Sequence, residues 1–273
     1  MAITTMAGLV AAQKGGQAQV LIFNKASLAV VAAVVSSTWR SATVPAAGAI
    51  PSTAVIYDNT TVGGLNFTPL TGGGNLHITN MEMSCTAIAT LPQHVIITDR
   101  LCAMGGLSGI VITAQTVNLS LTGVASDRLG ANDNSEIEWY VEVYTALGAT
   151  STTCTVAFTH TDTTTSTHAF TTGPSPPAGR LFLIVPTAGK RIASVQSVTL
   201  TASTLTAGNF GVTAMRPITS GETPAWQNAS PVIFDAAKLG FPVISSTACL
   251  VLNGYPSATS IGAVFGKIVL AQG

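Results

Sequence analysis

The sequence predicts an all-β protein, an antiparallel β-sandwich or jelly roll, that carries an extended N-terminal arm. From residue 75 onward, short segments rich in Thr, Val and Ile recur along the chain, and these residue types fit the pleated surface of a sheet. Glycine and proline separate the segments, which is typical of sandwiches with tight turns. A chain of 273 residues can bury such a core without disulfide bonds.

The N-terminal region contains a predicted short helix, a strand and an ambiguous apolar run. Residues 4–14 fit a helix that Thr4 or Thr5 caps and that a Gly-Gly pair ends. Residues 21–23 fit a strand. The apolar run at residues 27–35 fits a buried strand or a buried helix, because periodicity alone does not separate the two.

Residues 1–74 are predicted to form an N-terminal arm and loop-rich attachment segment. Ala, Pro, Gly and Thr dominate residues 40–74, and the X-Pro pairs and glycine runs there leave room for few long elements. Such a segment fits an arm that lies across a neighbouring molecule. An ordinary long loop with one short strand at residues 54–57 is an equally good interpretation.

Residues 75–273 are predicted to form the β-sandwich domain. Within it, residues 217–242 are expected to form a long proline-rich connection with a short helix at residues 234–239. The predicted strands lie at residues 75–85, 93–103, 114–121, 136–145, 153–160, 166–172, 180–186, 194–201, 209–216, 242–252 and 261–270.

The clearest predicted strand, residues 136–145, alternates strictly between two faces. Its apolar face includes Trp139, and its other face includes Glu136, Glu138 and Glu142. We expect the acidic face to be solvated. Contact with a basic partner is the alternative.

Charge is scarce along the whole chain. Charged residues make up 8% of the sequence, against about 25% in a typical soluble domain, and the formal net charge is zero. A free protein of this composition tends to associate, so we predict a component of a larger assembly. The basic residues form no cluster, so no nucleic-acid partner is expected. The longest apolar run, residues 28–35, falls short of the ~20 residues that span a bilayer, so no membrane partner is expected.

The sequence predicts no catalytic, cofactor or metal site. It lacks P-loop spacing, a nucleophile elbow and an H-E-x-x-H motif. Metal binding by His160, Asp162 and His168 is disfavoured because a third nitrogen ligand is missing, and the acidic turn at residues 127–134 lacks the spacing of a calcium loop. Burial as small apolar residues is favoured over two disulfides or a zinc site for the four cysteines, Cys85, Cys102, Cys154 and Cys249.

Four segments carry a resemblance to a known class of protein: STWRSATVPAAGAIP (37–51), DRLCAMGGLSGIVITAQTVN (99–118), WYVEVYTALGATSTTCTVAFTHTD (139–162) and SVQSVTLTASTLTAGNFGVTAMRP (194–217). Together they resemble structural proteins of tailed-bacteriophage virions, and the resemblance covers roughly residues 20–217. The resemblance implies a virion location and an all-β domain, and it does not distinguish head from tail. Residues 218–273 lie outside it.

Within that class, the predicted arm at residues 1–74 favours a capsid decoration protein, also called a cement protein, because such an arm would wrap a neighbouring subunit. Such a protein binds the outside of the capsid and clamps neighbouring coat subunits by burying surface, an effect that becomes large over many copies. The alternative is a tail, fibre or receptor-binding component. A virion glycan hydrolase would need paired carboxylates, for which Glu138 and Glu142 are the candidates. We expect no enzymatic activity and no cofactor.

The expected partners are the major capsid protein and copies of the chain itself, as a dimer or trimer. The protein is expected to be made in the bacterial cytoplasm and to reside on the capsid surface. Arg100 is expected to anchor a loop or an interface, and Trp39 to lie in an interface. The full set of predicted interface residues is Leu21, Phe23, Trp39, Arg40, Tyr57 and Arg100.

Overall fold

The computed structural model describes residues 3, 5–71, 73–86, 93–131, 133–223, 231–256 and 259–273. Antiparallel sheets pack against one another, and a short helix lies near the N-terminus, so the predicted all-β sandwich with a short N-terminal helix is confirmed. The helix begins after Thr5, whose hydroxyl accepts a hydrogen bond from Gly8 N at 3.1 Å, and it ends at Lys14, before the C-cap Gly15.

The strands and helices follow one another in three stretches. The first contains α1 (Met6–Lys14), β1 (Ala18–Lys25), β2 (Leu28–Ala29), β3 (Ser36–Ser37), β4 (Thr43–Val44), β5 (Val55–Ile56) and β6 (Leu76–Cys85). The second contains β7 (His94–Leu107), β8 (Gln115–Ser120), a 3-10 helix (Ser126–Arg128), β9 (Glu138–Thr145), β10 (Thr153–His160), β11 (Thr165–Thr171), β12 (Leu181–Leu183) and β13 (Ile192–Leu200). The third contains β14 (Asn209–Glu222), β15 (Val232–Asp235), α2 (Ala236–Leu239), β16 (Val243–Ile244), β17 (Leu250–Tyr255), β18 (Ser260–Ile261) and β19 (Val264–Gln272).

The described strands form three large sheets and one small pair. The six-stranded sheet has the order β15-β6-β19-β1-β4, with β16 also pairing with β6. The four-stranded sheet has the order β11-β10-β13-β8. The seven-stranded sheet has the order β12-β9-β14-β7-β17-β3, with β5 also pairing with β7. Strands β2 and β18 form the small pair.

Two large apolar cores lie against the seven-stranded sheet. The first core joins it to the four-stranded sheet and includes Phe158 and Phe210. The second core joins it to the six-stranded sheet and includes Phe23. The long strand β7 serves both cores, because Ile97 belongs to the second and Leu107 to the first. The molecule therefore consists of two sandwiches that share one continuous sheet.

The described part of residues 1–74 packs into these sandwiches and not outward as an arm. Strand β1 pairs with β19 along its whole length, from Ala18 to Lys25, and lies between β19 and β4. Leu65 and Phe67 belong to the second core. The boundary expected at residue 74 has no counterpart in this packing, because the segment completes the six-stranded sheet. The short strand β5 matches the alternative interpretation of a loop with a strand at residues 54–57.

The predicted proline-rich connection, residues 217–242, is partly strand. Strand β14 continues through Pro217 to Glu222 and stays paired with β7. Its pairing with β9 ends at Met215, so beyond that point β14 has one open edge, where a proline is tolerated. The short helix expected at residues 234–239 is present as α2. Residues 224–230 lie outside the described residues.

The ambiguous run at residues 27–35 contains the two-residue strand β2 and no helix. The predicted strand at residues 242–252 is divided into β16 and the start of β17. The predicted strand at residues 153–160 is confirmed with the same bounds as β10.

Trp39→Ala is expected to lower the free energy of unfolding by roughly 3–5 kcal/mol, because the indole is 1% exposed and its loss leaves a cavity. Urea denaturation followed by circular dichroism measures the change. Val44→Ala is the matched control in the same segment, since its side chain is 51% exposed, and it should change stability by less than about 0.5 kcal/mol. Equal stability of the two variants would contradict the packing described for this segment.

Candidate functional site

The structure buries five of the six predicted interface residues within the chain itself. Arg40 is partly exposed, and its guanidinium donates to the Gly48 carbonyl. The other five are at most 5% exposed, so little of their surface is available to another molecule: Leu21, Phe23, Trp39, Tyr57 and Arg100. Their predicted contact role is replaced by a structural one.

Arg100 lies in β7 next to a β-bulge and forms a buried ion pair with β9. The register between β7 and β14 shifts at Leu101, and bulges of this kind redirect neighbouring side chains. Arg100 Nη2 donates to Glu142 Oε2 at 2.6 Å and to the Tyr144 hydroxyl at 3.1 Å. Both side chains of the ion pair are 0% exposed. Removing either partner of a buried ion pair is strongly destabilising, because the remaining charge is then buried without a counter-charge.

Two aromatic rings cover the Arg100 guanidinium. Its Cζ lies 4.4 Å from the Trp39 ring centroid and 5.2 Å from the Tyr57 ring centroid, within the range of cation–π contacts. The two rings are 5.0 Å apart and tilted by 53°. The Trp39 indole N–H donates to the Ala49 carbonyl at 2.9 Å, so the polar atom of this ring has a partner. The rings therefore replace part of the hydration that Arg100 loses on burial.

Glycine permits the backbone of this segment to approach the indole. A Cβ added at Gly48 would lie 2.0 Å from Trp39 Cε2, and one at Gly63 would lie 2.8 Å from Trp39 Cζ3. Gly63 also has a φ of +108°, a conformation that other residues rarely adopt. The glycine-rich composition that suggested contact with a neighbour serves here to pack the chain on its own tryptophan.

A second buried ion pair lies next to the first. Arg128 donates from Nε and Nη2 to the two carboxylate oxygens of Asp99, at 2.9 and 2.6 Å. Its Nη2 also donates to the Arg100 carbonyl at 3.0 Å. Burial opposes the charge of both guanidinium groups. The neighbouring carboxylates, and for Arg100 also the phenols of Tyr144 and Tyr57, nevertheless hold the pKa of each above its ordinary value.

The acidic face predicted for residues 136–145 is not solvated as a whole. Glu142 is buried in the ion pair, and Tyr140 and Tyr144 on the same face are also buried. Glu138 remains exposed and accepts a hydrogen bond from the Tyr140 hydroxyl at 2.5 Å. The prediction failed because residues from the N-terminal segment cover this face. Since Glu142 is inaccessible, it cannot act with Glu138 on a glycan.

The cysteines are buried, as predicted. Cys102, Cys154 and Cys249 are free thiols, and burial raises the pKa of each to about 12. A thiol with so high a pKa is protonated at neutral pH and is a poor nucleophile or metal ligand. Cys85 is buried in the second core.

The polar groups at the β10–β11 turn are engaged with one another. His160 is buried, and its Nδ1 lies 3.1 Å from the Thr164 hydroxyl. Asp162 forms an ion pair of 3.1 Å with Lys190, while the His168 ring lies 6.0 Å from the Phe170 ring and is tilted against it by 31°. The described residues contain no group of three or more His, Cys, Asp or Glu side chains that would hold a metal ion.

A distinctive exposed surface lies at one end of the sandwich that encloses the first core, between the seven-stranded and four-stranded sheets. Four loops, residues 108–114, 146–152, 173–179 and 201–208, meet there and contain no charged residue and no histidine. Backbone bonds join them: Gly109 N donates to the Ala207 carbonyl at 2.6 Å, and Ser175 N donates to the Gly148 carbonyl at 2.9 Å. We call this surface the uncharged end.

Aliphatic side chains project from the uncharged end. Three are consecutive in the β7–β8 loop, and the fourth lies in the β13–β14 loop. Their exposed fractions are 49% for Ile110, 37% for Val111, 54% for Ile112 and 76% for Leu205. Sequence reasoning missed them, although the uninterrupted apolar run beside a glycine was a visible signal. Contiguous exposed apolar groups are typical of binding surfaces.

The opposite end of the same sandwich is charged. Strand β10 runs from Thr153 near the uncharged end to His160, beside the ion pair of Asp162 with Lys190. A further ion pair of 2.7 Å joins Arg216 to Glu136, which lies just before the start of β9. Charge is therefore distributed unevenly between the two ends of the sandwich.

Comparison of the chain with protein-family models, curated proteins and solved structures finds no match. Among the residues that the structure describes, neither helix is long and apolar enough to cross a membrane. The function is therefore inferred from the surfaces and contacts of this chain.

The ion pair between Arg100 and Glu142 should behave as a coupled unit. Arg100→Met and Glu142→Gln are each expected to lower the free energy of unfolding by roughly 3–5 kcal/mol, because each leaves the other group buried without its partner. The double variant should be more stable than the sum of the single effects predicts, by at least about 1 kcal/mol. Chemical denaturation of the four proteins measures this coupling.

The exposed pair of Lys190 and Asp162 provides the control for that cycle. Its side chains are 34% and 51% exposed, so Lys190→Met and Asp162→Asn should show a coupling below about 1 kcal/mol. Additive effects of the Arg100 and Glu142 variants would show that the buried pair does not act as a unit.

Proposed function

We propose that this chain is a non-enzymatic virion structural protein that decorates the outside of a tailed-phage capsid and clamps neighbouring coat subunits. The observation that carries the proposal is the uncharged end, with Ile110, Val111, Ile112 and Leu205 exposed on loops held together by backbone hydrogen bonds. The proposal also draws on the resemblance of residues 20–217 to virion proteins and on the low charge of the chain.

The uncharged end suits attachment to a protein surface. Burying one exposed aliphatic side chain contributes up to about 1.5–3 kcal/mol, and these side chains are already partly buried, so each contributes less. A contact of this size is weak for one copy, and it offsets outward stress on the shell when many copies act together. The charged end then faces water. The major capsid protein is the proposed partner, and the capsid surface is the proposed location.

A tail, fibre or receptor-binding role is the second candidate. The Thr-rich strands β10 and β11 favour it, because exposed threonine-rich sheets also suit such components. The two candidates differ in copy number, since a decoration protein accompanies the whole coat shell and a tail protein does not.

Copy number in purified particles tests the location. Quantitative mass spectrometry of particles from the source culture should find on the order of hundreds of copies, released together with the coat shell, as expected when many subunits are clamped. About six to a few dozen copies would move the protein to the tail. Absence from all particle fractions would overturn both candidates.

The role of the uncharged end is tested by Ile112→Asp. A buried, unpaired carboxylate is costly, so this variant should bind isolated coat shells at least about tenfold more weakly than the wild type in a sedimentation assay. Val243→Asp, in the six-stranded sheet, is the matched control because its side chain is 47% exposed, and it should bind normally. Equal binding by Ile112→Asp and the wild type would reject this end as the attachment surface.

A further inference from the structure

Strand β11 forms an open edge of the four-stranded sheet. It pairs with β10 on one side, one residue to one residue from Thr165 to Thr171, without a register shift. None of the described strands pairs with its other side. Seven residues make β11 a long edge, since strands at sheet edges are usually short or otherwise protected.

The direction of the backbone groups of β11 follows from the flanking hydrogen bonds. Thr172 N donates to the Thr152 carbonyl at 3.0 Å, and His160 N donates to the Thr164 carbonyl at 2.8 Å. Because hydrogen-bonded positions alternate in an antiparallel pair, the even-numbered residues of β11 bond to β10. The N–H and C=O groups that point to the open edge belong to Thr165, Thr167, Ala169 and Thr171.

This edge lacks the devices that usually prevent strand pairing. Its sequence, TSTHAFT, contains no proline, lysine or acidic residue, and its pairing contains no bulge. The opposite edge of the same sheet is different, because β8 has a register shift against β13 and a left-handed Asn118 with φ of 47°. The edge strand β12 has three residues and is followed closely by Pro186.

We propose that two copies of this chain associate through their β11 edges, antiparallel to each other, about a two-fold axis at His168. The two four-stranded sheets then form one continuous sheet. This proposal goes beyond the capsid assignment and does not depend on it, because it concerns only the contact between copies.

The register centred on His168 pairs every residue of β11 with the second copy. Thr167 then faces the second copy's Ala169 as a hydrogen-bonded pair, and Thr165 faces the second copy's Thr171 in the same way. All outward N–H and C=O groups of both strands gain partners. His168 faces its own counterpart at the axis, in a pair without hydrogen bonds, where side chains approach most closely.

A second copy fits this edge better than a strand of different chemistry. The exposed side chains of Thr165, Thr167, Ala169 and Thr171 are small and uncharged, so two such strands oppose each other without like charges. Thr–Thr pairs across strands are favourable. The contact also closes on itself, whereas pairing of β11 with β8 would propagate from copy to copy.

Cysteine cross-linking tests the register directly. His168→Cys should form a disulfide-linked dimer under mild oxidation, because the two introduced thiols face each other at the axis. Thr165→Cys is the matched control on the same strand, and it should not cross-link because it faces Thr171 of the second copy. Non-reducing electrophoresis of both variants gives the result, and circular dichroism confirms that each is folded.

Blocking the edge tests the association without cross-linking. Ala169→Pro removes an outward N–H while keeping the bonds to β10, so it should weaken dimerisation by at least about tenfold in sedimentation velocity. Ala169→Val keeps the N–H and should dimerise like the wild type. A wild-type protein that stays monomeric or forms trimers, or an unchanged dimer in Ala169→Pro, would overturn the proposal. A monomeric wild-type protein would instead favour pairing of the β11 edge with a strand of another protein.

Discussion

The buried guanidinium of Arg100 is the constraint on which the packing of the N-terminal segment, residues 1–74, depends. A charge with no access to water requires a counter-charge and a polarisable cover, and here Glu142 supplies the first and Trp39 the second. Trp39 in turn fits only because Gly48 lies against its ring. Residues far apart in sequence must therefore be in place together before β7 can be buried on this face. The arrangement makes the N-terminal segment part of the core.

Burial of ion pairs changes the meaning of the low charge content. The chain has 11 basic and 11 acidic residues, and several of these lie inside the molecule, namely Lys25, Asp99, Arg100, Arg128 and Glu142. The surface therefore carries even less charge than the composition indicates. What remains is unevenly placed, with ion pairs at one end of a sandwich and none in the loops at the other. The shortage of charge is therefore greatest on particular surfaces, such as the uncharged end.

Local patterns in the sequence were sufficient to predict the class of fold and several strands. Strand β10 was predictable because its alternation is set by its own residues. The burial of Glu142 was not predictable, because it depends on Arg100, which lies 42 positions earlier in the sequence, and on Trp39, which lies earlier still. The interface residues were misjudged for the same reason: large side chains that suggest contact with another molecule serve equally well inside this one. The apolar run from Ile110 to Ile112 is visible in the sequence, but it lacks periodicity, so the sequence alone did not indicate whether these side chains are buried or exposed.

The strands β7 and β14, each of 14 residues, run as one ladder through both sandwiches. In mechanical terms, the two sandwiches are joined by two continuous strands and not by a linker. A load that pulls the sandwiches apart along these strands is carried by the covalent backbones of β7 and β14, because each strand extends through both sandwiches. The shared sheet therefore makes the two halves carry tension as one body.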